Sequence, residues 1–283
     1  MSKIRRALML SSAVTMGQLQ QSIDTISHNI ANINRTGYQR REDTFSDLLF
    51  QQMDHQRVPQ PEGNRLTPEG IRVGNGAGVS QTALRYGQGA VQETERALDF
   101  AVAETGIFFP VQTEIDSVTE QAFTRDGAFY LSETVPGADM WQLVTREGDV
   151  LTNGDGEPFI VPGRANDFTL HSDGTLVAEL AEGGTALLGE LEVATITRPQ
   201  LLEATGENLF QLPDLAALEL EAGDVLGFQS AGEAQVIQGA LEQSNVDMAM
   251  EMAKLMEMQR SYGMHARNIS QQDEMMGLVN SLR

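Results

Sequence analysis

Two stripes of apolar residues, one near each end of the chain, follow the alternating three- and four-residue spacing of helices that pack along a narrow seam. The N-terminal stripe consists of Met16, Leu19, Ile23, Ile26, Ile30 and Ile33. The C-terminal stripe consists of Met248, Met252, Leu255, Tyr262, Ala266, Ile269 and Met276, with Gln259 and Asp273 as polar members. Because the two seams match, we predict long N- and C-terminal helices that form a coiled-coil-like α domain.

The sequence also predicts where these helices end and begin. An N-terminal helix of about 30 residues would be about 45 Å long at 1.5 Å per residue. Gly37 offers the left-handed conformation that ends helices, and Asn29 and Asn32 are able to satisfy backbone groups near that exit. Ser244 and Asp247 have the spacing of a capping box, which predicts the start of the C-terminal helix.

Methionine is concentrated in the C-terminal stripe, where eight of the 13 methionines lie between Met248 and Met276. Unbranched, polarisable methionine suits a helix that packs against several non-equivalent neighbours. An ordinary core helix that happens to use methionine is the alternative interpretation.

Between the two ends the sequence changes character. Residues 61–90 are rich in Gly and Pro and predict an extended linker after an N-terminal helix and segment over 1–60. Residues 91–230 alternate short apolar groups with DG, NG and SDG turns, which predicts a mostly β domain built from hairpins. Residues 231–283 complete the chain with the C-terminal helix, so the predicted fold class is α+β.

Charge is distributed unevenly along the chain. The formal net charge is −21, and residues 91–230 hold 5 arginines against 26 acidic residues, so the rest of the chain is neutral overall. Such a balance argues against nucleic-acid binding, which needs a basic surface. The absence of cysteine excludes disulfides and thiolate-based metal or catalytic sites.

No pattern of residues predicts catalysis, a cofactor or a metal site. The four histidines lie without metal-ligand spacing at His28, His55, His171 and His265. The glycines of GNGAGV are not followed by a helical pattern, and DVLTNGDGEP has Leu151 where a calcium loop needs an oxygen ligand. A cell-wall hydrolase that uses carboxylates of the acidic segment, and a soluble coiled-coil adaptor, stay as alternatives.

Five short segments carry a more specific signal. SHNIANINRTGYQR resembles the signature that closes the first helix of flagellar rod, hook and hook-associated proteins, and LDFAVAETGIFFPVQ, AFTRDGAFYL, GENLFQ and LEQSNVDMAMEMAKLMEMQRSY are similar to later blocks of that family. The positions that carry the resemblance are Asn29, Ala31, Asn32, Thr36, Gly37, Tyr38, Arg125, Gly127, Ser244, Asn245, Gln259 and Arg260. The segments DLLFQQ and RLTPEGIRVGNGAGV are most similar to basal-body rod proteins of the distal type.

The resemblance implies a structural subunit of the bacterial flagellar rod and not an enzyme. It implies a helical homopolymer, a hollow torque-transmitting shaft, whose subunits contact each other through both stripes and Met256. The implied partners are other rod and hook proteins and the flagellar type III export apparatus, with no nucleic acid and no small-molecule substrate. The N-terminal MSKIRRALMLSSAVTMGQ lacks an A-x-A-type cleavage site, so we expect export to the basal body without a cleaved signal. A hook or rod–hook junction subunit is the alternative within the family.

Overall fold

The computed structural model of the chain describes residues 2–47, 50–53, 71–74, 77–115, 118–134, 139–163, 165–181, 183–206, 208–213, 215 and 220–281. The chain divides into two compact units. The helical unit comprises Met1–Ala31, Arg41–Ala83 and Asp247–Arg283, and the β unit comprises Asn32–Arg40 and Leu84–Val246. Each unit therefore combines segments that are distant in the sequence.

Three α-helices occur among the described residues, namely α1 (Ser2–Ala31), α2 (Ala222–Val225) and α3 (Met248–Ser281), and Pro199–Leu201 forms a short 3₁₀ helix. In the helical unit, the 30-residue α1 packs along the 34-residue α3. Asn29 Nδ2 in the last turn of α1 lies 3.3 Å from Glu251 Oε2 in the first turn of α3, so the two helices run antiparallel. The predicted α+β class with long terminal helices is confirmed.

Among residues 9–31, the part of α1 whose side chains the structure describes, the buried positions follow a three-four-three spacing. They are Leu19, Ser22, Ile26 and Asn29. Met16, Ile23 and Ile30 of the predicted stripe are half-buried, and Ile33 lies beyond the end of α1. Because two of the four buried positions are polar, the contact is not the uniformly apolar seam of an ordinary coiled coil. Its coiled-coil character stays a prediction.

Short strands accompany the helices in the helical unit. Strand β1 (Arg41–Asp47) pairs with β4 (Ala77–Leu84), and β2 (Phe50–Met53) pairs antiparallel with β3 (Ile71–Gly74). Where a linker over 61–90 is predicted, the residues that the structure describes at 71–74 and 77–84 are therefore strands. The Gly and Pro content hid alternating β-branched residues such as those of IRVG, which favour strands. The predicted boundary at residue 60 lies outside the described residues.

The secondary structure of the β unit is mostly strands, which confirms the predicted β character of the middle of the chain. The strands are β5 (Val91–Glu93), β6 (Phe100–Val102), β7 (Ile107–Ile115), β8 (Val118–Thr124), β9 (Tyr130–Glu133), β10 (Met140–Val144), β11 (Val150–Leu151), β12 (Ile160–Pro162), β13 (Ala165–Leu170), β14 (Thr175–Leu180), β15 (Thr185–Glu190), β16 (Glu192–Ile196), β17 (Glu203–Ala204), β18 (Leu209–Gln211), β19 (Leu226–Ser230), β20 (Val236–Gln238) and β21 (Ala240–Glu242).

The largest sheet of the β unit has the strand order β12-β10-β11-β7-β8-β18-β17, with β9 beside β10 and with β16 beside both β7 and β19. Strands β13, β14 and β15 form a separate antiparallel sheet. Strands β20 and β21 pair antiparallel with β6 and β5, respectively. The last two strands of the unit thus pair with its first two strands.

Strand β7 is central to the core of the β unit. Its neighbours are β8, β11 and β16, and residues 107–111 are buried on both faces. This environment explains why IFFPV is a continuous apolar run rather than an alternating one. Phe109 packs edge-to-face against Phe129 on one side, and Phe108 packs against Phe210 on the other, so β7 joins two apolar clusters.

Two of the predicted glycine turns have different outcomes. At the SDG site Gly174 has a φ of +87° and its N–H donates to the His171 carbonyl at 3.0 Å, which confirms a turn between β13 and β14. The pair Asp126-Gly127 is not a hairpin turn. A Cβ at Gly127 would collide with the carbonyl oxygen of Phe100, so a close backbone approach requires the glycine there.

Both predicted helix boundaries need correction. Helix α1 ends at Ala31, six residues before the predicted stop at Gly37. A turn follows it, in which the Arg35 N–H donates to the Asn32 carbonyl at 3.1 Å. Gly37 has the expected positive φ of +65°, but in the loop that follows the helix. At α3 the capping box is wrong, since Asp247 itself is the N-cap residue.

The cap of α3 is formed by one carboxylate. Asp247 Oδ1 accepts the N–H groups of Ala249 at 2.8 Å and Met250 at 3.1 Å. Ser244 Oγ instead accepts the Val246 N–H at 3.3 Å, outside the helix. Asp is as good an N-cap as Ser, so the second candidate in the pattern prevails.

Candidate functional site

Most of the family-motif residues lie in one hydrogen-bonded network of the β unit, here called the motif junction. At its centre is the loop that contains Gly37. The Gly37 N–H donates to the carbonyl of Glu242 at 2.9 Å, and a Cβ at Gly37 would lie 2.5 Å from the carbonyl carbon of Arg125. With a φ of +65° as well, the position accepts only glycine without strain. The next residue, Tyr38, is buried.

An ion pair shielded from water crosses the motif junction. Arg125 Nε donates to Glu242 Oε2 at 2.7 Å, and the two side chains are 2% and 1% exposed. The same guanidinium donates to the carbonyls of Glu104 at 2.8 Å and Ile107 at 3.2 Å. Glu242 Oε1 accepts the N–H of Gly89 at 2.9 Å. Several hydrogen bonds thus offset the cost of desolvating both charges.

A second carboxylate holds the other side of the Gly37 loop. Asp126 Oδ1 accepts the hydroxyl of Thr36 at 2.7 Å and the N–H of Ala128 at 3.1 Å. Burial raises the pKa of Asp126 above its ordinary value of 3.8, and these two hydrogen bonds oppose the shift. Asn208, in the GENLFQ segment, donates its amide to the Thr36 carbonyl at 2.7 Å. Residues from all five motif segments therefore meet at this junction.

Asn245 forms the C-terminal corner of the motif junction. Its Nδ2 donates to the carbonyls of Arg85 at 2.7 Å and Gly87 at 2.9 Å, and its Oδ1 accepts the Arg40 N–H at 2.8 Å. One side chain thus bonds to three backbone groups. The neighbouring motif residue Ser244 is half-buried.

The helical unit has its own polar contact where the two helices meet. Asn29 is fully buried, and its amide accepts the Arg41 N–H at 3.0 Å and donates to the Arg41 carbonyl at 2.8 Å. Its Nδ2 also lies 3.3 Å from Glu251 Oε2. Lys254 Nζ is 3.6 Å from Glu251 Oε1 and 4.0 Å from Glu42 Oε1. The predicted role of Asn29 in satisfying backbone groups near the helix exit is confirmed.

Most methionines of α3 are exposed, whereas other residues of the predicted stripe are half-buried. Glu251 is buried, and Leu255, Tyr262, Ala266 and Ile269 of the predicted stripe are half-buried. The exposed large apolar side chains of α3 are Met248, Met250, Met252, Met256, Met264, Met275, Met276 and Leu278. Gln259 and Asp273, predicted in the seam, are exposed, as are the motif residues Ala31 and Arg260. The helix thus keeps a large apolar surface that α1 does not cover.

Several residues of these sites escaped the sequence analysis. Glu242 and Asn208 lie inside quoted motif segments, but their partners are more than 100 residues away in the chain. Glu251 lies between methionines and has no periodic signal of its own. An acidic residue within an apolar strand, as in GALEQ, is the one local sign that could have identified Glu242.

No group of three or more His, Asp or Glu side chains is placed to hold a metal ion within the described residues. In that same part of the chain, no helix is long and apolar enough to cross a lipid bilayer.

Comparison with known proteins identifies relatives along almost the whole chain. Residues 9–39 match the family model described as "Flagella basal body rod protein", and residues 237–282 match "Flagellar basal body rod FlgEFG protein C-terminal". The flagellar hook-basal body complex protein FlhP of Bacillus subtilis (strain 168) is 36% identical over 277 residues, 97% of this chain and 98% of the relative. The flagellar basal-body rod protein FlgG of Borreliella burgdorferi is 31% identical over 280 residues, 96% of this chain and 97% of the relative. FlgG of the same Bacillus strain is 30% identical over 269 residues, 95% and 96% of the two chains.

Family-model matches at both ends of the chain, and relatives 36% and 31% identical over almost its whole length, define the class as structural proteins of the bacterial flagellum. The chain belongs to the flagellar basal-body rod protein family. Its relatives are structural flagellar rod proteins and not enzymes, and this chain is likewise a structural protein of the flagellar basal body.

Proposed function

We propose that the protein is a distal-type rod subunit that polymerises helically through its terminal helices into a hollow, torque-transmitting shaft. It works together with other rod and hook proteins. It reaches the basal body through the flagellar type III export apparatus, without a cleaved signal. The observation that supports polymerisation is the exposed apolar surface of α3, which is too extensive for a helix with a single partner.

Four of the exposed methionines of α3 lie on two flanks of the helix. Taking buried Glu251 as the direction of α1, Met252 and Met256 lie about 100–140° to one side at 3.6 residues per turn. Their side chains are 42% and 56% exposed. Met264 and Met275 lie about 120–140° to the other side by the same geometry, and they are 54% and 46% exposed.

Two different apolar flanks support contacts with two different surfaces of neighbouring copies. Contacts of that kind do not close on themselves and generate a helical filament. Methionine, which adapts its shape, suits neighbours that are not equivalent. The charge distribution supports the same proposal, since the near-neutral ends of the chain can pack against copies without accumulating the like charge of residues 91–230.

The test replaces each flank separately with charge. Met252→Glu/Met256→Glu changes the first flank, and Met264→Glu/Met275→Glu changes the second. We expect both variants to keep the monomer's circular dichroism and thermal midpoint, because the side chains are exposed, but not to elongate when concentrated. Electron microscopy and sedimentation measure filament length.

Mixing with the unaltered protein distinguishes two surfaces from one. A copy with one working flank still joins a filament end and then blocks growth, so either variant mixed in equal amounts should shorten the filaments. Met140→Glu is the matched control, since Met140 is 43% exposed but belongs to the β unit. Normal filaments from either flank variant would refute the proposal.

A hook or rod–hook junction subunit is the second candidate. The relative named a hook-basal body complex protein is more similar to this chain than FlgG of the same strain is. Immunogold labelling of isolated hook-basal bodies separates the two candidates. Label along the rod supports the rod subunit, and label confined to the junction supports the alternative.

A further inference from the structure

The chain passes between its two units at four points, and three of these crossings meet at the motif junction. The first segment leaves the β unit after Arg40, the second enters it at Leu84, and the third leaves it after Val246. Their last or first residues within the β unit are hydrogen-bonded to one another. They are therefore neighbours in space, although more than 200 residues separate Arg40 from Val246.

Asn245 is a side chain that contacts all of these segments, and its Nδ2 also lies 2.9 Å from Oε1 of the buried Gln39 in the first segment. It belongs to the third segment, its Oδ1 accepts the Arg40 N–H of the first at 2.8 Å, and its Nδ2 donates to the Arg85 carbonyl of the second at 2.7 Å. The second hydrogen of Nδ2 reaches the Gly87 carbonyl at 2.9 Å. A carboxamide supplies two donors and an acceptor at the end of one short side chain. Aspartate would lack the donors, and serine has only one.

Backbone hydrogen bonds complete the contact between the segments. The Arg85 N–H donates to the Arg40 carbonyl at 2.8 Å, which ties the first segment to the second. The third segment has backbone bonds deeper in the β unit, where the Gly37 N–H donates to the Glu242 carbonyl at 2.9 Å and the Gln243 N–H donates to the Ala90 carbonyl at 2.8 Å. Nearer the crossing it reaches Arg85 and Gly87 of the second segment through a side chain. Its last backbone bond to the first segment, from Asn245 N–H to the Tyr38 carbonyl, is long at 3.4 Å.

We propose that Asn245 is a positioning residue that fastens the three crossing segments together, so that force on the helical unit enters the β unit through three strands of chain at once. The mechanical meaning rests on the proposed function in a rotating shaft. The fastening itself does not, because it is a property of the single chain. Failure of the fastening and failure of polymerisation are therefore measured separately.

The test compares hydrogen exchange and trypsin cleavage in Asn245→Ala and in the unaltered full chain. The Arg40 amide loses its side-chain acceptor in the variant, and we expect its exchange to become about two- to tenfold faster, given the usual net value of such bonds. Cleavage after Arg40 and after Arg85, quantified by mass spectrometry, should also accelerate. Exchange of the Phe100 amide, which donates to the Gly127 carbonyl at 3.0 Å, should not change.

Asn208→Ala is the matched control. Asn208 is another asparagine of the β unit, buried where Asn245 is half-buried, and its 2.7 Å bond goes to the Thr36 carbonyl of the first segment alone. This control should leave the exchange of the Arg40 amide and cleavage after Arg85 unchanged.

Asn245→Asp keeps the acceptor oxygen for Arg40 but removes the donor to Arg85 and Gly87. It tests the proposal even if the alanine variant does not fold. Its Oδ1 still accepts the Arg40 N–H, so that amide should stay slow. Its carboxylate faces the Arg85 and Gly87 carbonyl oxygens without a donor, so cleavage after Arg85 should rise. Unchanged Arg40 exchange in Asn245→Ala, or equal acceleration at Phe100, overturns the proposal.

Discussion

Arg125 and Glu242 form an ion pair from which water is excluded, so removing one partner leaves the other charge buried and unpaired. We expect Arg125→Met or Glu242→Gln alone to lower the free energy of unfolding by about 3–5 kcal/mol. The double variant should lose less free energy of unfolding than the two single variants lose together, because no charge is left unpaired. The carbonyls of Glu104 and Ile107 still lose their donor in it. Urea unfolding of the four proteins gives the coupling energy.

A surface ion pair of the β unit provides the comparison. Arg35 NH2 lies 2.7 Å from Glu147 Oε1, and the side chains are 21% and 46% exposed. Exposed pairs contribute about 0–1 kcal/mol, so Arg35→Met and Glu147→Gln should each have a small effect. Equal losses at the two pairs would contradict the role assigned to burial.

Asp126 predicts a pH dependence of stability with a definite sign. Its pKa is raised in the folded chain by burial, so the ionised carboxylate is less favourable in the folded than in the unfolded state. Asp126→Asn keeps an oxygen acceptor for Thr36 and Ala128 but has no charge to desolvate. The variant should therefore be more stable than the unaltered protein above the folded pKa. This advantage should vanish as the pH falls below 3.8, the ordinary value.

Asp173 supplies a control with the opposite sign. The Thr175 N–H donates to its Oδ1 at 3.0 Å, and this bond lowers the pKa of the exposed carboxyl. Asp173→Asn should therefore lose stability near neutral pH, and the difference should disappear as acid protonates the unaltered residue. Thermal midpoints measured between pH 3 and pH 7 give both signs in one experiment.

Single residues of the motif junction were predictable, whereas their partners were not. Gly37, Arg125 and Asn245 stand in recognisable patterns, because a positive φ, a planar donor and a carboxamide restrict the residue type. Their contacts join segments up to about two hundred residues apart, and nothing local in a sequence specifies such a pairing. Glu242 shows the limit, since its role depends on Arg125 and Gly89 together.

Among the elements, α3 depends on its first turn more than its length suggests. Asp247 Oδ1 accepts two N–H groups there, and its negative charge also lies at the positive end of the helix dipole. We expect Asp247→Ala to lower the free energy of unfolding of the helical unit by about 0.5–2 kcal/mol. Thermal unfolding followed by helical circular dichroism measures the loss.

The control for the cap is an aspartate of the same helix that caps no N–H group. Asp273 is exposed and lies far from both ends of α3. Asp273→Ala should change stability by no more than about 0.5 kcal/mol. A loss similar to that of Asp247→Ala would mean that helix charge rather than capping is responsible.

Elements with long periodic patterns were predicted well, and short ones were not. The spacing from Met16 to Ile30 identified α1, but the buried seam is turned toward Ser22 and Asn29, because the Asn29 amide binds the backbone of Arg41. A hydrophobicity pattern has no means of showing that a polar side chain will be satisfied inside. The strands β3 and β4 were not predicted within the glycine-rich stretch, because their pairing partners β2 and β1 lie elsewhere in the sequence.

At the scale of the whole molecule, repulsion among the acidic side chains opposes folding. Residues 91–230 carry 26 acidic side chains and 5 arginines, while the remainder of the chain is neutral. Within the described part of this segment, Asp99 and Glu147 are paired with arginines. Self-repulsion should therefore weaken the β unit whenever salt is low, and a polymer that brings many copies together should increase the effect.

Salt should relieve this repulsion in a way that a defined variant can reproduce. The screening length falls from about 30 Å at 0.01 M to about 10 Å at 0.1 M ionic strength, so the thermal midpoint of the β unit should rise over that range of NaCl. The variant Glu179→Gln/Glu190→Gln/Glu203→Gln removes three exposed charges. It should start with a higher midpoint and gain less from salt, because less repulsion is left to screen. A general salting-out effect on apolar surface would instead raise both midpoints equally, and a midpoint that ignores salt would show that the acidic surface does not oppose folding.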